Sequence, residues 1–547
     1  MNDEVRPDVP AVSALYEAVL GGDEDAVVRL LRAGVPGDVC TGSGESVLYR
    51  AAMCDEPGIV RLLLAAGADP DRLSEGTDLP LCGAACAGHE EVVRALLAAG
   101  ARADAVEELG FRALTWAVQL GREAVVRALL DGGADPRLPG AKGELPLVAA
   151  ARRGSTGCVR ALLEHGATGL REALVEARRW RGVEVAEVLR TQVVGSTVDG
   201  VGREAVTERF VEDGGVTVAV QLLDASGRPA SGAEQQTGHA AIATLLESAL
   251  GIATPPGELA DRAVACGDPG NDDWVEAMEV LRRRGDDGTF RAAAAWCADR
   301  DPLRRAFGAD VLGQLGVPGP DGSRPFERRT FPVLRAGLRS AKLRSGPAGG
   351  AGPSRSAAAP RGATSHDGAA PAHEPETGND ATASQEAELA AFINALGHHR
   401  TPAAVPEIAA HAAHPSPAVR RSVALALHTH APGGHPEAVA ALTALARDAD
   451  PDVRTWAAAG LAGSGADTDE VRETLTALLD DPRTDIAAEA ARGLALRQDV
   501  RAVDPLARLL AQLPPGDYAR EVAQDAARAF DDVRIRNRLE WTLPRRA

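Results

Sequence analysis

Glycine falls on a fixed beat in the first third of this chain: Gly34, Gly67, Gly100, Gly133 and Gly166 are each 33 residues apart. A near-identical apolar run precedes each one, as VVRLLRAG, IVRLLLAAG, VVRALLAAG, VVRALLDGG and CVRALLEHG. A second series, Leu15, Leu48, Leu81, Leu114 and Leu147, keeps step with the first. Two markers locked to one period specify a repeated helix pair that cannot bury its apolar face alone. Neighbours must stack to build the core, and a stack offers an extended surface to partners. The expected fold class is mostly α, built from solenoid arrays.

At 547 residues the chain exceeds one ordinary core, so several domains are expected. Aromatics make up only 3% of it, which suits close-packed short helices rich in Ala and Leu. The formal net charge is −19, spread along the chain. Short basic clusters occur at Arg178, Arg179 and Arg181 and at Arg282–Arg284, without a long basic stripe. That balance argues against nucleic acid, whose phosphates need neutralising. Seven cysteines show no CxxC pair, the N-terminus is acidic, and no run is long enough to span a bilayer. A reduced, cytoplasmic protein without membrane contact is expected.

Each unit between 11 and 168 reads as a turn, a short helix, a second turn, a longer helix and a loop. In LPLCGAACAGHEEVVRALLAAGARAD (Leu79 to Asp104), Val92, Val93, Leu96 and Leu97 share one helical face, and Gly100 closes the helix. These units resemble ankyrin repeats. The family's TPLH turn appears here as SALY, SVLY, LPLC, RALT and LPLV, without the Thr and His that tie it, so looser turns are expected. The stretch REALVEARRWRGVEVAEVLR, ending at Arg190, reads as a solvent-facing cap. The expected organisation is a flexible N-terminus (1–10), ankyrin repeats with their cap (11–192) and a small strand-containing insert (193–256). In that insert Val216, Val218, Val220 and Leu222 alternate as a strand, Asp224 to Pro229 form a turn, and a weaker strand precedes a helix from His239 to Leu250.

A different marker governs the second half: Asp-Pro, a β-branched residue or Leu, then Arg, opening an Ala-rich helix. DPLRRAFGADVLGQLG and DPDVRTWAAAGLAGSG show it, with HPSPAVRRSVALALHTH as a variant. Val419, Val453 and Ile486 lie 34 and 33 residues apart. Asp caps the helix start and Pro fits its first turn. Helices such as PEAVAALTALARD complete the pairs. These resemble HEAT repeats, in particular the short type also found in phycobilin lyases. They are expected over 257–344 and 386–547, separated by a low-complexity, unfolded linker at 345–385. FPVLRAGL before that linker and AELAAFINALGHH after it read as two halves of one repeat.

Chemistry-bearing motifs are sparse. His411 and His414, within a C-terminal cluster of seven histidines (His398 to His435), have one-turn spacing for a metal, but nothing completes the ligand set and surface histidines explain them. Cys82 and Cys86 share a helical face as small packing residues. Asp448, Asp450 and Asp452 lack the closing Glu of a calcium loop and read as caps. HEAT-fold di-iron hydroxylases use repeated His-Glu pairs, which this array lacks. No phosphate loop or nucleophile elbow occurs, so no catalytic residue, metal or cofactor is assigned.

The ankyrin resemblance places the positions after the TPLH segment on a concave face. Here they are Glu17 and Leu20, Arg50 and Met53, Gly83 and Cys86, Trp116 and Gln119, and Ala149 and Arg152. Arg72, Glu75, Glu107 and Glu108 at the loop tips form a polar rim. Trp116 reads either as an interface anchor or as a wedge between repeats. The expected function is a non-catalytic scaffold that binds one or more proteins on its two concave surfaces. The resemblance to HEAT proteins also implies two alternatives, a bilin lyase or chromophore chaperone and a DNA-binding protein.

Overall fold

The computed structural model describes residues 9–195, 205–212, 215–224, 226–317, 325–344, 378–399, 401–430, 434–514 and 516–542. They form two compact units: Met1–Arg262 with Gly270–Val280, and Ala263–Pro269 with Leu281–Ala547.

The first unit opens with five helix pairs. First helices are Val9–Leu20, Val47–Met53, Pro80–Ala87, Ala113–Gln119 and Pro146–Arg153; second helices are Glu24–Arg32, Pro57–Ala65, Glu90–Ala98, Glu123–Asp131 and Thr156–Glu164. Leu15, Leu48, Leu81, Leu114 and Leu147 are all buried in one continuous core, as a stack of incomplete units requires. The beat glycines are left-handed, with φ from +77° at Gly166 to +95° at Gly34. That conformation strains any residue with a Cβ, and so fixes glycine at the turn.

The turns are tied by groups other than the missing Thr and His. Leu79 N–H donates to Glu107 Oε1 at 3.1 Å, and Ser46 N–H to Ser74 Oγ at 3.1 Å. Donors and acceptors are each 33 residues apart, so one hairpin position reaches back to the preceding helix start. A parallel series puts carboxylates of Asp38, Asp71 and Asp104 on the backbone N–H groups of Asp69, Arg102 and Asp135 in the next unit.

The cap helices Leu170–Trp180 and Val185–Gly195 keep one face, with Arg171, Arg178 and Arg179, in solvent and have the other covered. Ile242, Ala243 and Leu246 of the helix His239–Ala249 join the ankyrin core beside Ala173, Leu174 and Ala177, and Arg178 pairs with Glu247 at 2.9 Å. The sheet has three antiparallel strands, one more than the sequence shows: β1 (Ala205–Glu212), β2 (Gly215–Leu223) and β3 (Pro229–Gln236), in the order β1-β2-β3. Val218 and Val220 bury against Val185, Ala186 and Leu189. The polar run Thr-Glu-Arg hides β1 from an alternation test, whereas β2 shows it plainly.

Part of the stretch assigned by sequence to the second array packs on the first unit instead. Arg262 and Glu247, both 2% exposed, pair at 2.8 Å, and Thr254 also donates to Glu247 at 2.6 Å. Asp273 accepts Ala241 N–H at 2.6 Å, and Arg160 pairs with Glu276 at 2.8 Å. Paired and hydrogen-bonded in this way, the buried charges hold 256–262 and 270–280 to the ankyrin side.

The second unit repeats the Asp-Pro device. Asp301 caps Pro302–Leu315 by accepting Leu303 N–H, and Asp450 caps Pro451–Gly463 by accepting Asp452 and Val453 N–H. Val419, Val453 and Ile486 are fully buried. The marker's arginine does more than solvate the helix. Arg454 pairs with Asp481 at 2.8 Å and donates to the carbonyls of Asp448 and Ala449. Arg420 does the same with Asp448, His414 and Pro415. Each guanidinium thus closes its own turn and holds the next repeat. The helices Glu327–Arg344 and Gly378–His398 pack together, with Gly337 leaving room for the Phe392 ring. Of the expected unfolded linker, 378–385 belongs to that second helix, and 345–377 lies outside the described residues, as do 1–8 of the flexible N-terminus.

Candidate functional site

The first helices of the ankyrin units carry one candidate position per repeat, and the hairpins between units overhang them. Arg50 pairs with Glu45 and lies 5.7 Å over the Tyr16 ring, while Tyr16 O–H donates to Glu45 at 2.7 Å. Glu17 and Leu20 stand exposed beside them. Gly83 is a space rather than a contact: a Cβ there would come 2.8 Å from Tyr49 and 3.0 Å from the Met53 sulfur. Tyr49 and Met53 therefore lie across the middle of the row.

Around Tyr49 the field is negative. Burial pushes its hydroxyl up to about 12, with Asp78 and Glu107 adding to the shift. Burial also pushes the Cys82 thiol up, again aided by Glu107, and pushes Cys86 up in the same way. Neither is a reactive thiolate, in keeping with their reading as packing residues.

Glu107 turns inward from the rim. Its second oxygen accepts the Trp116 indole N–H at 3.0 Å, while the first holds Leu79 N–H. Trp116 stacks on Phe111 at 4.5 Å and 20°. It is half-buried and packs against the ankyrin core. Arg72 is held by Asp38 and by the Cys40 sulfur at 3.3 Å. Glu75, at φ +53°, and Glu108 are exposed at neighbouring tips, linked through Glu108 N–H to Thr77 O. Gln119 is exposed. Arg152 bonds Glu144 and Glu176, and its carbonyl accepts from Gln235 and His239, so β3 and the following helix cover its backbone.

The structure adds residues that position counting missed. Tyr16 and Tyr49, themselves 33 apart, sit one residue before the chosen positions. Leu73, Val106 and Leu109 at the hairpins are 43%, 47% and 79% exposed. Apolar residues at loop tips were the available signal. In the second unit, His428 meets Trp456 at 5.8 Å, and Glu489 accepts from Tyr518 and Arg492 at 2.8 Å each. Those aromatics stand out in an array built from Ala and Leu.

Three of the seven C-terminal histidines depart from the surface set expected, while His398 is exposed. His399, His411 and His430 are buried, and burial holds His411 down at about 4, with Lys342 and His414 adding to it. Among the described residues no group of three His, Cys, Asp or Glu is placed to hold a metal ion. No helix among them is long and apolar enough to cross a membrane.

Family models match both halves of the chain. An ankyrin-repeat model matches 43–75, a model of three ankyrin copies matches 72–139, and a HEAT-repeat model matches 381–462 and 442–528. No curated protein matches the chain. Nothing in the matches is specific to phycobilin lyases. Both repeat types generally serve as protein-interaction modules rather than catalysts. The chain carries ankyrin repeats over 43–139, extended on both sides by helix pairs of the same geometry, followed by HEAT repeats over 381–528.

Proposed function

We propose that this protein is a non-catalytic adaptor whose ankyrin face binds another protein. The observation that carries this reading is the half-buried aromatic stack of Phe111 and Trp116, next to a hairpin that also carries the exposed Val106 and Leu109. Large apolar groups left in water on a fixed scaffold are the usual composition of an interface centre. Arg50 and Arg152 are engaged by carboxylates of their own chain, so they shape the face more than they supply free charge. The HEAT array offers a second surface around Trp456 and Tyr518.

The test is an affinity capture from source-cell extract with the full chain, run in parallel with Trp116→Ala and with a Leu109→Ser, Val106→Ser pair. A specific partner is lost at least tenfold with both variants, while the thermal midpoint of the tip pair stays within a few degrees. A partner retained by both variants removes the ankyrin face from the adaptor reading.

A further inference from the structure

The charge beside the platform identifies what it holds. Glu75, Asp78, Glu107 and Glu108 gather where the second and third hairpins meet, and among the described residues no cation pairs with any of them. Most neighbouring guanidiniums are already committed, Arg50 to Glu45, Arg72 to Asp38 and Arg102 to Asp71, while Arg122, beside Cys86, bounds the acidic patch without a carboxylate partner among the described residues. Within the same face lie the Tyr49 ring and the Phe111–Trp116 stack, whose π-faces attract cations as well as apolar groups. Beyond Trp116 the sign changes, with Arg112 bonded only to the Pro139 carbonyl and Lys142 at the next tip. The face is therefore negative around the second and third hairpins and turns positive toward Arg122, Arg112 and Lys142.

We propose that this face takes an extended segment of a partner protein carrying Lys or Arg side chains beside one large apolar residue. The proposal rests on the adaptor reading and deepens it. The cationic side chains lie over Tyr49 between Asp78 and Glu107, with Glu75 and Glu108 at the rim. The apolar residue rests on Trp116 and Leu109. An acidic segment meets uncompensated like charge there, and a purely apolar one leaves the carboxylates without a cation, Glu107 being held by neutral N–H donors. Arg112 and Lys142 end the basic stretch at Trp116, which fixes its direction.

The experiment uses the full chain and three fluorescein-labelled 12-residue peptides. They share the same Leu and Gly positions and carry Lys, Ser or Glu at the others. By anisotropy the Lys peptide binds at least tenfold tighter than the Ser peptide, the Glu peptide binds weakest, and added salt narrows the gap. The variant Glu75→Gln, Asp78→Asn, Glu108→Gln weakens the Lys peptide at least fivefold. A control on the second helices, Glu24→Gln, Asp25→Asn, Asp131→Asn, makes the same change in net charge and shifts binding less than twofold. Circular dichroism confirms that both variants fold. Equal losses in the two variants, or a Ser peptide as tight as the Lys peptide, overturn the basic-segment proposal. If Trp116→Ala still weakens the peptides in that case, the adaptor reading stands; if it weakens none of them, both readings fall.

Discussion

Glycine does opposite jobs in the two arrays. At Gly34, Gly67, Gly100, Gly133 and Gly166 a Cβ would meet nothing within 4 Å, and what excludes other residues is the positive φ. In the HEAT unit, Gly313, Gly397 and Gly493 sit inside helices, where a Cβ would lie 2.9 Å from Ala395, Ala426 and Ala462 of the neighbouring helix. The ankyrin beat needs glycine for chain direction, whereas these HEAT positions need it for helix approach, the job Gly83 alone does among the ankyrin candidate positions. The ties between repeats differ in the same way. Ankyrin units are joined by oxygens on backbone N–H groups, buried at Ser46–Ser74 and exposed at Asp71–Arg102, with the more exposed guanidiniums of Arg72 and Arg102 beside them, whereas HEAT units are joined by half-buried guanidiniums.

The largest effect expected from that difference is at Arg454. Arg454→Ala leaves Asp481, 6% exposed, without its cation and two carbonyls without their donor. The expected loss is about 3 kcal/mol, discounted from a fully buried pair because Arg454 is 18% exposed. Hydrogen exchange should accelerate in Pro451–Gly463 and Asp469–Leu478 and stay unchanged in the ankyrin helices. Uniform acceleration would mean that the arrays unfold as one and that the contrast has no energetic content.

Acid should separate the units next. His411 is held at about 4 in the folded state against 6.5 when unfolded, so between those values the folded state binds fewer protons. Its contribution is complete above pH 6.5 and is lost as pH falls toward 4, by about 3 kcal/mol at most. In the first unit His239, also lowered to about 4 by burial, has the same sign. Asp273, raised to about 6 by burial, has the opposite sign, since protonation between pH 6 and 3.8 favours its folded form. Exchange protection between pH 6.5 and 4.5 should therefore fall more steeply in the HEAT unit. His411→Asn should flatten that slope.

Substituting glycines tests the opening contrast directly. Gly493→Ala drives a methyl group into Ala462 and Leu475 and should cost about 2 kcal/mol through overpacking. Gly100→Ala meets open space and should cost about 1 kcal/mol from its φ of +94° alone. Asn tolerates left-handed backbone, so Gly100→Asn should recover part of the loss while Gly493→Asn should be worse than Ala. Urea midpoints for the four variants decide the matter.

What was legible in the sequence follows from how local each cause is. The left-handed turn has one favoured residue, so the glycine beat located all five helix pairs. The Asp-Pro cap acts within three residues and was equally plain. The role of Arg454 was not, because its partner Asp481 lies 27 positions away. Strand β2 showed itself by alternation and β3, PASGAEQQ, only weakly for want of large apolar residues, whereas the polar run Thr-Glu-Arg hid β1. Trp116 stood out by its rarity, but its tie to Glu107 appears only when the third hairpin folds back over its own unit. The histidines misled because an Ala-rich array leaves room to bury imidazoles between helices, and composition alone does not report that space.

The smallest effect belongs to the ankyrin tie. Asp71 accepts Arg102 N–H at 3.1 Å and its guanidinium at 2.8 Å. Arg102 is 73% exposed, so the ion pair is screened and the backbone bond carries most of the contribution. Asp71→Asn keeps an oxygen for that bond and should be nearly neutral. Asp71→Ala removes it and should cost about 1 kcal/mol, because water can replace the carboxylate at an exposed hairpin. Adding salt should leave the difference between Asn and Ala unchanged, since the surviving bond is not ionic. If salt abolishes it, the ankyrin ladder is electrostatic after all, and the two arrays differ in burial rather than in the kind of bond that joins their repeats.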